Sequence, residues 1–555
     1  MGKKIFVFYF LTCVFETGFG QNPLVKMWDK RLGGIESDWI TFFQCTADGG
    51  YILGGSSYSP VSGDKTQDHW GQGDYWIVKT DSLGNKQWDK RFGGTQTDNL
   101  MALQQTSDGG YILGGYSASG IGGDKTQAVW GGFYSDYWII KTDSLGNKEW
   151  DRDFGGTNVD NLYSLQQTID GGYLLGGYSL SDSSGDKTEH TRGGQDYWII
   201  KTDSLGVKQW DKRFGGSLGD WLYSLDLTSD GGFILGGYSH SGNNGDKTQT
   251  TWDTATNFTF RGDYWIVKTN SFGIKQWDKD LGGSGPEELN YLHETPDKGF
   301  ILGGWSASGI SGDKTQASWN NSYDFWIVKT DSAGNKQWDK DYGGTSNEDE
   351  FGNIFSTLDG GYIISGTSYS SISGDKTEDN LGIEQSWIVK TDSLGFKQWD
   401  KTLHTDGHDE IGLTFQTDDG CYTMVNSTSA GIGGDKTQSN WDTLSPISLD
   451  FWIIRFCDST ATIVSNFQHP PSGFNIFPNP AKDFINISFT LKEEKNVSVE
   501  VYDLLGRPLT PKDVPKELRQ SKQEMKIDMR SFPKGVYLIE IKTEEGIYRN
   551  KVVKE

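Results

Sequence analysis

Short aromatic and β-branched segments, separated by glycine and aspartate, cover the chain as far as residue 458. A representative segment is Asp136-Tyr-Trp-Ile-Ile-Lys, which has the composition of a β-strand. No stretch of this region sustains the 3.6-residue period of an amphipathic helix. The pattern therefore predicts an all-β fold.

One block of about 62 residues recurs seven times between Trp28 and Asp458. We name its strands a, which carries a Trp-Asp pair; b; c, which follows an Asp-Gly-Gly-Tyr turn; and d, which carries a second tryptophan. Tight turns such as Thr80–Trp88 join strand d to the next strand a, so these two strands are neighbours. Seven blades of strand order b-c-d-a predict a seven-bladed β-propeller over residues 21–457.

The two ends of the repeat region complement each other. The first block opens on strand a alone, around Trp28, and the last block stops after strand d at Cys457. We therefore predict that the N-terminal strand completes blade seven. Such closure removes the open sheet edges that favour aggregation.

A different pattern follows a polar linker at 458–474. The C-terminal blocks include Phe474-Asn-Ile-Phe-Pro-Asn-Pro-Ala and Val499-Glu-Val-Tyr-Asp-Leu-Leu-Gly-Arg, then Ile527-Asp-Met-Arg-Ser-Phe-Pro-Lys-Gly-Val-Tyr and a final Lys551-Val-Val-Lys. Their alternation predicts a small antiparallel β-sandwich over residues 475–555. In this order they resemble the type A C-terminal sorting domain of type IX secretion cargo.

That resemblance implies a route and a partner. Such cargo reaches the periplasm by a signal peptide and crosses the outer membrane through a translocon that recognises the sorting domain, here residues 475–555. The domain is usually removed, and the cargo is released or anchored to surface lipopolysaccharide. The repeats themselves are similar to uncharacterised repeat proteins carried by the same class of cargo. We therefore expect a secreted or outer-membrane cell-surface protein.

The N-terminus agrees with export. Residues 1–20 combine Lys3 and Lys4 with an apolar run, Ile5 to Phe15, and small residues before Gln21, which predicts a cleaved signal peptide. A lipoprotein signal at Cys13 is the alternative. The run is too short to span a bilayer, and no other segment qualifies, so we expect a mature chain without a transmembrane segment.

The net charge of the chain limits the classes of ligand that it can bind. The formal net charge is −24, which argues against nucleic acid and anionic lipid as ligands. We expect no cofactor, although acidic loops permit calcium. The Gly-Asp-Lys-Thr motif of the loops between strands c and d is also compatible with a plain turn. Its aspartates are the weak calcium candidates: Asp64, Asp124, Asp186, Asp246, Asp313, Asp375 and Asp435.

A tryptophan follows that motif in five c–d loops, and Arg192 and Leu381 replace it in blades three and six. These are candidate ligand-binding residues, because a flat indole matches the C–H face of a sugar ring. The alternative is that each indole folds back over its own loop. The five are Trp70, Trp130, Trp252, Trp319 and Trp441.

The d–a turns resemble the Asp-box of sialidase-like propellers, which implies a structural role for them. Cys421 and Cys457 either form a disulfide or remain two isolated thiols.

No nucleophile elbow, P-loop or dinucleotide motif occurs, and the one histidine cluster is His404 to His408. Catalytic residues are therefore not assigned. We expect a module that binds glycan or protein, with a polysaccharide-active hydrolase or lyase as the alternative.

Overall fold

The computed structural model describes residues 24–252, 262–346, 349–442, 445, 447–458, 475–477, 481–503, 509, 518–530, 532, 535–543 and 546–554. The predicted signal peptide lies outside the described residues, as does nearly all of the predicted linker. The chain divides into two compact units, with the boundary after residue 459. Each unit is described by itself.

The first unit is a ring of seven four-stranded antiparallel sheets, which confirms the predicted propeller. Blades one to three comprise β2 Asp38–Cys45, β3 Tyr51–Ser57, β4 Asp74–Thr80, β5 Lys86–Phe92; β6 Asp98–Gln105, β7 Tyr111–Ser117, β8 Asp136–Thr142, β9 Lys148–Phe154; and β10 Asp160–Gln167, β11 Tyr173–Ser179, β12 Asp196–Thr202, β13 Lys208–Phe214.

Blades four to seven follow in the same order. They comprise β14 Asp220–Leu227, β15 Phe233–Ser239, β16 Asp263–Thr269, β17 Lys275–Leu281; β18 Glu287–Glu294, β19 Phe300–Ser306, β20 Asp324–Thr330, β21 Lys336–Tyr342; β22 Asp349–Ser356, β23 Tyr362–Ser368, β24 Gln385–Thr391, β25 Lys397–Thr402; and β26 Asp409–Gln416, β27 Tyr422–Thr428, β28 Asp450–Asp458 with β1 Leu24–Leu32. One short 3-10 turn, Trp319–Asn321, lies in the blade-five loop.

Blade seven is closed by the N-terminal strand, as predicted. Strand β1 pairs antiparallel with β28, with Trp28 opposite Arg455 and Leu32 opposite Phe451. The first strands of successive blades contact one another around the whole ring and so line the central channel. Because strand order is b-c-d-a, the c–d loops and the a–b crossovers meet at the same end of the ring.

The core lies between blades rather than within one centre. Tyr75 and Ile77 of blade one pack with Leu100 and Trp138 of blade two, and all four are fully buried. The Tyr75 hydroxyl donates to the Trp138 carbonyl at 3.1 Å, which satisfies its buried polar end. The same contact recurs at later junctions, so each blade is positioned by its neighbour.

Blade seven also carries a disulfide. Cys421, one residue before β27, bonds to Cys457 in β28 with an S–S distance of 1.98 Å. Among the described cysteines, Cys45 keeps a free thiol, and burial raises its pKa to about 12. No described helix has the length and apolar character needed to cross a membrane.

The second unit contains one five-stranded antiparallel sheet. Its strands are β29 Asn475–Phe477, β30 Phe484–Asp503, β31 Leu518–Asp528, β32 Gly535–Thr543 and β33 Gly546–Lys554. The order is β29-β30-β32-β33, with β31 also paired to β30. Its core includes Ile485, Val501 and Ile539. The described residues of this unit show one sheet, so its sandwich stays a prediction.

Candidate ligand-binding rim

The Gly-Asp-Lys-Thr loop is fastened to the outermost strand of its own blade. In blade one, the Thr66 amide and hydroxyl both donate to the Asp89 carboxylate at 2.9 Å. The Trp76 indole donates to the same carboxylate at 3.1 Å. Asp89 is the aspartate of the Trp-Asp pair, so the repeated motifs meet at one buried acceptor. Its pKa is lowered because, despite burial, these donors and Lys86 favour the charged form.

The lysine of the motif is buried beneath the loop. Lys65 donates to the Ser59 carbonyl at 2.5 Å. In blades two and five the equivalent Lys125 and Lys314 form ion pairs with Asp153 and Asp341 of strand a. A buried lysine needs such partners because an unpaired buried charge is costly. The lysine therefore holds the loop down and is not presented to solvent.

The five candidate tryptophans stand at the junctions between blades, and 41–56% of each remains exposed. Each indole contacts the Gly-Asp-Lys-Thr loop of the next blade, which corrects the expectation that it folds over its own loop. The indole N–H groups of Trp130, Trp252, Trp319 and Trp441 donate to the next blade's aspartate at 2.9, 3.0, 3.0 and 2.9 Å.

Glycine at the start of the motif makes this contact possible. Gly185 has a φ of 57°, a conformation that residues with a Cβ rarely adopt. A Cβ at this position would also meet the Trp130 ring at 2.9 Å. The equivalent Gly312 and Gly374 lie against Trp252 and Trp319 in the same way. One face of each indole is therefore fixed on a glycine of the neighbouring blade.

The two blades without a tryptophan show what the position does. Arg192 stands in its place in blade three and forms an ion pair with Asp246 of the next blade at 2.9 Å. Leu381 of blade six is exposed and has no such polar group. The position therefore links neighbouring blades by a hydrogen bond or an ion pair in blades two, three, four, five and seven. The register of Arg192 with the tryptophans was visible in the sequence and could have indicated this.

The seven calcium candidates are spread around the ring, one in each blade. Their carboxylates accept bonds from the indoles above, from Arg91, Arg192 and Arg213, or from backbone amides such as His404 N–H on Asp435 at 2.8 Å. Within the described residues, no three His, Cys, Asp or Glu side chains are grouped so as to hold a metal ion.

A residue of strand a that the sequence analysis overlooked differs among the blades, and blade six has Thr402 at this position. Two residues after the Trp-Asp aspartate, blades one, three and seven have Arg91, Arg213 and Arg31. Arg91 lies 5.1 Å from the Trp70 ring centroid, and Arg31 lies 4.1 Å from that of Trp441, both in cation–π contact. Blades two, four and five have aspartate there instead, so their tryptophans lack this cover.

The channel side of the same end carries aromatic residues that recur in only some of the blades. In blade four, Trp221 stacks on Tyr238 with centroids 4.8 Å apart, and His240 lies 4.7 Å from Trp221. Tyr163 and Tyr223 continue this aromatic group toward blade three. The presence of aromatic residues at these positions in some blades and not in others was the signal that could have revealed them.

The histidine cluster is a contact between blades six and seven. His408 Nδ1 lies 3.2 Å from the buried Glu384 carboxylate, and Nε2 lies 3.1 Å from that of Glu410. Burial raises the pKa of Glu384 to about 7. His404 instead contacts the Asp379 carbonyl at 2.9 Å. The structure thus separates the two histidines and places one between two carboxylates.

Comparison with known proteins identifies the second unit. Residues 475–555 match the family of secretion system C-terminal sorting domains. The chain is thus a seven-bladed β-propeller protein with a type IX secretion sorting domain, and that domain indicates export to the cell surface or the exterior and recognition by the type IX system. No curated protein matches the chain.

Solved structures resemble the propeller only distantly. A protein of unknown function from Dyadobacter fermentans is 11% identical with a TM-score of 0.39, over 78% of this chain and 99% of its own. The Pan2 WD40 domain of Neurospora crassa is 9% identical with a TM-score of 0.40, over 77% and 95%. The phage phi92 endosialidase is 11% identical with a TM-score of 0.37, over 82% and 73%. These scores carry no argument about ligand or activity.

Proposed function

We propose that the propeller is an exported carbohydrate-binding module and that the tryptophan rim is its binding surface. The observation that carries the proposal is the state of the five indoles, each held on one side by the next blade and 41–56% exposed. An aromatic face that is already fixed loses little conformational entropy when a ligand stacks on it. Sugar rings present a C–H face of matching shape.

The charge of the chain and its export support the same reading. A net charge of −24 disfavours polyanionic ligands, whereas neutral glycans carry no charge to repel. A sorting domain of type IX secretion takes the propeller to where extracellular glycans are found. Several indoles spaced around one ring would also bind a repeating polymer multivalently, which raises its apparent affinity without new contacts.

The test is retention of glycan by a variant of the exported chain in which Trp70, Trp130 and Trp319 are all changed to Ala. We expect loss of glycan-array signal in this variant. Its free energy of unfolding should fall moderately, by roughly 1–2 kcal/mol per site, since each side chain is only half buried. Binding must therefore be measured well below the melting temperature of the variant.

A matched control removes three similarly exposed apolar side chains that do not belong to the tryptophan rim. Leu83, Leu145 and Leu394 lie in d–a turns and are 57–61% exposed. Their change to Ala should leave glycan retention unchanged. Retention by the tryptophan variant at the parental level, or no glycan signal with the parent, would contradict the proposal.

One observation favours the hydrolase or lyase alternative. His408 is held between Glu384 and Glu410 at a junction where the repeat is broken, and acid–base chemistry uses such imidazole–carboxylate sets. The described part of this cluster includes no arginine to neutralise a substrate carboxylate. Incubation of the parent and a His408→Ala variant with the glycan that the array selects, followed by product analysis, separates the two functions. Products formed by the parent alone would favour the enzyme.

A further inference from the structure

A cavity of about 370 Å³ opens between blades two and three, beside one of the rim tryptophans. Trp130 and Asp153 line it from blade two, and Asp186, Val207 and Lys208 line it from blade three. Its volume lies within the range of about 300–1,000 Å³ that small-molecule sites occupy. The cavity therefore has room for a ligand the size of one or two sugar rings.

Comparison with the other blades explains why the cavity forms. In blade one, Arg91 occupies the position of Asp153, and its guanidinium lies 5.1 Å from the centroid of the Trp70 ring. In blade two, the shorter Asp153 turns instead to the buried Lys125, with which it forms an ion pair. The space beside Trp130 that an arginine would cover is thus left open.

The lining combines one aromatic wall with a few polar groups. The Trp130 indole is fixed by its 2.9 Å bond to Asp186 Oδ2 and by the packing of its ring on Gly185. The Asp186 carboxylate can accept a hydrogen bond from a ligand hydroxyl. Gln127 also lines the cavity, and its amide oxygen already accepts from Asp153 N–H at 3.0 Å, so it can offer its NH₂ group as a donor.

The charges at the site are balanced. Lys208 pairs with Asp211 at 2.8 Å, and Asp153 pairs with Lys125. Arg152 donates to the Asp151 carbonyl at 2.8 Å and lies over Trp150, where its guanidinium faces an aromatic ring. No surplus of positive charge is directed at the cavity to recognise a carboxylate or a sulfate. A neutral ligand therefore suits the lining better than an anionic one.

We propose that this cavity is a subsite for one neutral hexopyranose unit of a glycan, with the sugar stacked on Trp130 and its hydroxyls bonded to Asp186 and Gln127. The proposal rests on the proposed function, because the sugar is a unit of the polymer that the rim binds. It goes further in assigning a subsite to one junction and in fixing the chemical class of the sugar.

The experiment uses the chain's own repeats as a guide. Asp153→Arg introduces the residue that blades one, three and seven carry, and it should cover the cavity while Trp130 stays in place. Val207→Phe introduces the residue that blade six carries at the equivalent turn position, Phe396. Val207 is about half exposed, so this second variant leaves the buried ion pair of Asp153 intact and folds independently of it.

The control variant is Ile274→Phe. Ile274 occupies the equivalent turn at the junction of blades three and four, where Arg192 replaces the tryptophan. It is exposed to a similar degree as Val207. The same aromatic addition is thus made at a junction that has no indole wall, and any effect of the added ring on folding or aggregation is matched.

Binding is measured by isothermal titration calorimetry with linear hexaoses of glucose, galactose and mannose, and with hexagalacturonate as the anionic counterpart. We expect at least one neutral hexaose to bind the parent, and its affinity to fall at least tenfold in Asp153→Arg and Val207→Phe. The Ile274→Phe variant should bind as the parent does. Hexagalacturonate should bind none of them.

The possible failures are distinguishable. Parental affinity in a folded Val207→Phe variant would overturn the subsite, while loss of affinity in the triple tryptophan variant would still uphold the rim. Tighter binding of hexagalacturonate than of the neutral hexaoses would overturn the assigned sugar class. No binding of any neutral hexaose to the parent would overturn the subsite, and a negative glycan array in addition would overturn the proposed function as well.

Discussion

Blade seven and the other six blades reach the same geometry by different routes along the chain. In blade one, Thr66 and Asp89 are 23 residues apart, and their two bonds measure 2.9 Å. In blade seven, Thr437 and Asp29 are 408 residues apart, and the corresponding bonds measure 2.9 and 2.8 Å. The contacts are alike, but joining the distant pair in an unfolded chain costs about 2–3 kcal/mol more loop entropy.

Blade seven has additional bonds that offset the entropic cost of joining two distant parts of the chain. Its disulfide joins Cys421 to Cys457, and the other described blades have no counterpart. Arg455 of β28 donates to the Tyr51 hydroxyl of blade one at 2.7 Å, so it ties the last blade to the first. The comparison suggests that ring closure is the step at which repetition alone is insufficient and extra bonds are needed.

Removal of the closing strand should have the largest effect. Deletion of residues 22–34 exposes the edge of β28 and leaves the Thr437 and Trp452 donors without Asp29. We expect loss of most of the marginal stability of the ring, together with aggregation through the open edge. Thermal melting and size-exclusion chromatography measure both.

A matched truncation tests the specificity of that effect. Removal of residues 475–555, which form a separate unit, should leave the melting of the propeller unchanged. The same truncation should hold the propeller in the periplasm, because the sorting domain carries the export signal. A ring without residues 22–34 that melts like the parent and stays monomeric would contradict the closure argument.

Loss of the disulfide should have the next largest effect. The double change Cys421→Ser and Cys457→Ser frees a loop with a sequence separation of 36 residues. For a loop of this length we expect a loss of about 3–4 kcal/mol in the free energy of unfolding, measured by urea denaturation. Cys45→Ser is the control and should change little. Equal unfolding curves for the parent with and without reductant would show that the bond does not secure blade seven.

The sequence predicted the seven blades, their strand order and the closing strand because those features follow from periodicity along the chain. It did not predict the partner of the rim indoles. The bond from Trp130 to Asp186 crosses between blades, and the residue that completes it is set by the packing of Gly185 in the ring.

Residues that break the repeat were the hardest to interpret from sequence. Asp153 and Arg91 occupy the same register, yet only the structure shows that one pairs with a buried lysine and the other covers an indole. The channel-side stacking of Trp221 on Tyr238 likewise depends on the angle between neighbouring strands. The local sequence pattern does not specify such distances between side chains.

The smallest effect concerns one buried carboxyl at the start of strand d, compared between blade seven and blade three. Burial, helped by the nearby Asp38 carboxylate, raises the pKa of Asp450 to about 8. Burial, helped by Asp220, raises the pKa of Asp196 to about 7. Each faces an arginine of strand a, and in blade seven that arginine comes from the closing strand.

The sign of the pH effect follows from these shifts. A carboxyl whose native pKa exceeds its unfolded value near 4 holds its proton more tightly in the folded protein. Its contribution to stability is full below about pH 4 and is lost as the pH rises through the native pKa, here about 8 for Asp450 and about 7 for Asp196. Asparagine cannot ionise and still offers an acceptor for the amide that each carboxylate binds.

We therefore expect Asp450→Asn to raise the melting temperature at pH 9 relative to the parent and to change it little at pH 4. Asp196→Asn should do the same with a smaller gain at pH 9, since the pKa of Asp196 is raised less than that of Asp450. Melting is followed by calorimetry between pH 4 and pH 9 for the parent and both variants. A larger gain in blade three than in blade seven would reverse the comparison, and parallel pH curves for all three proteins would mean that neither carboxyl takes up a proton on folding.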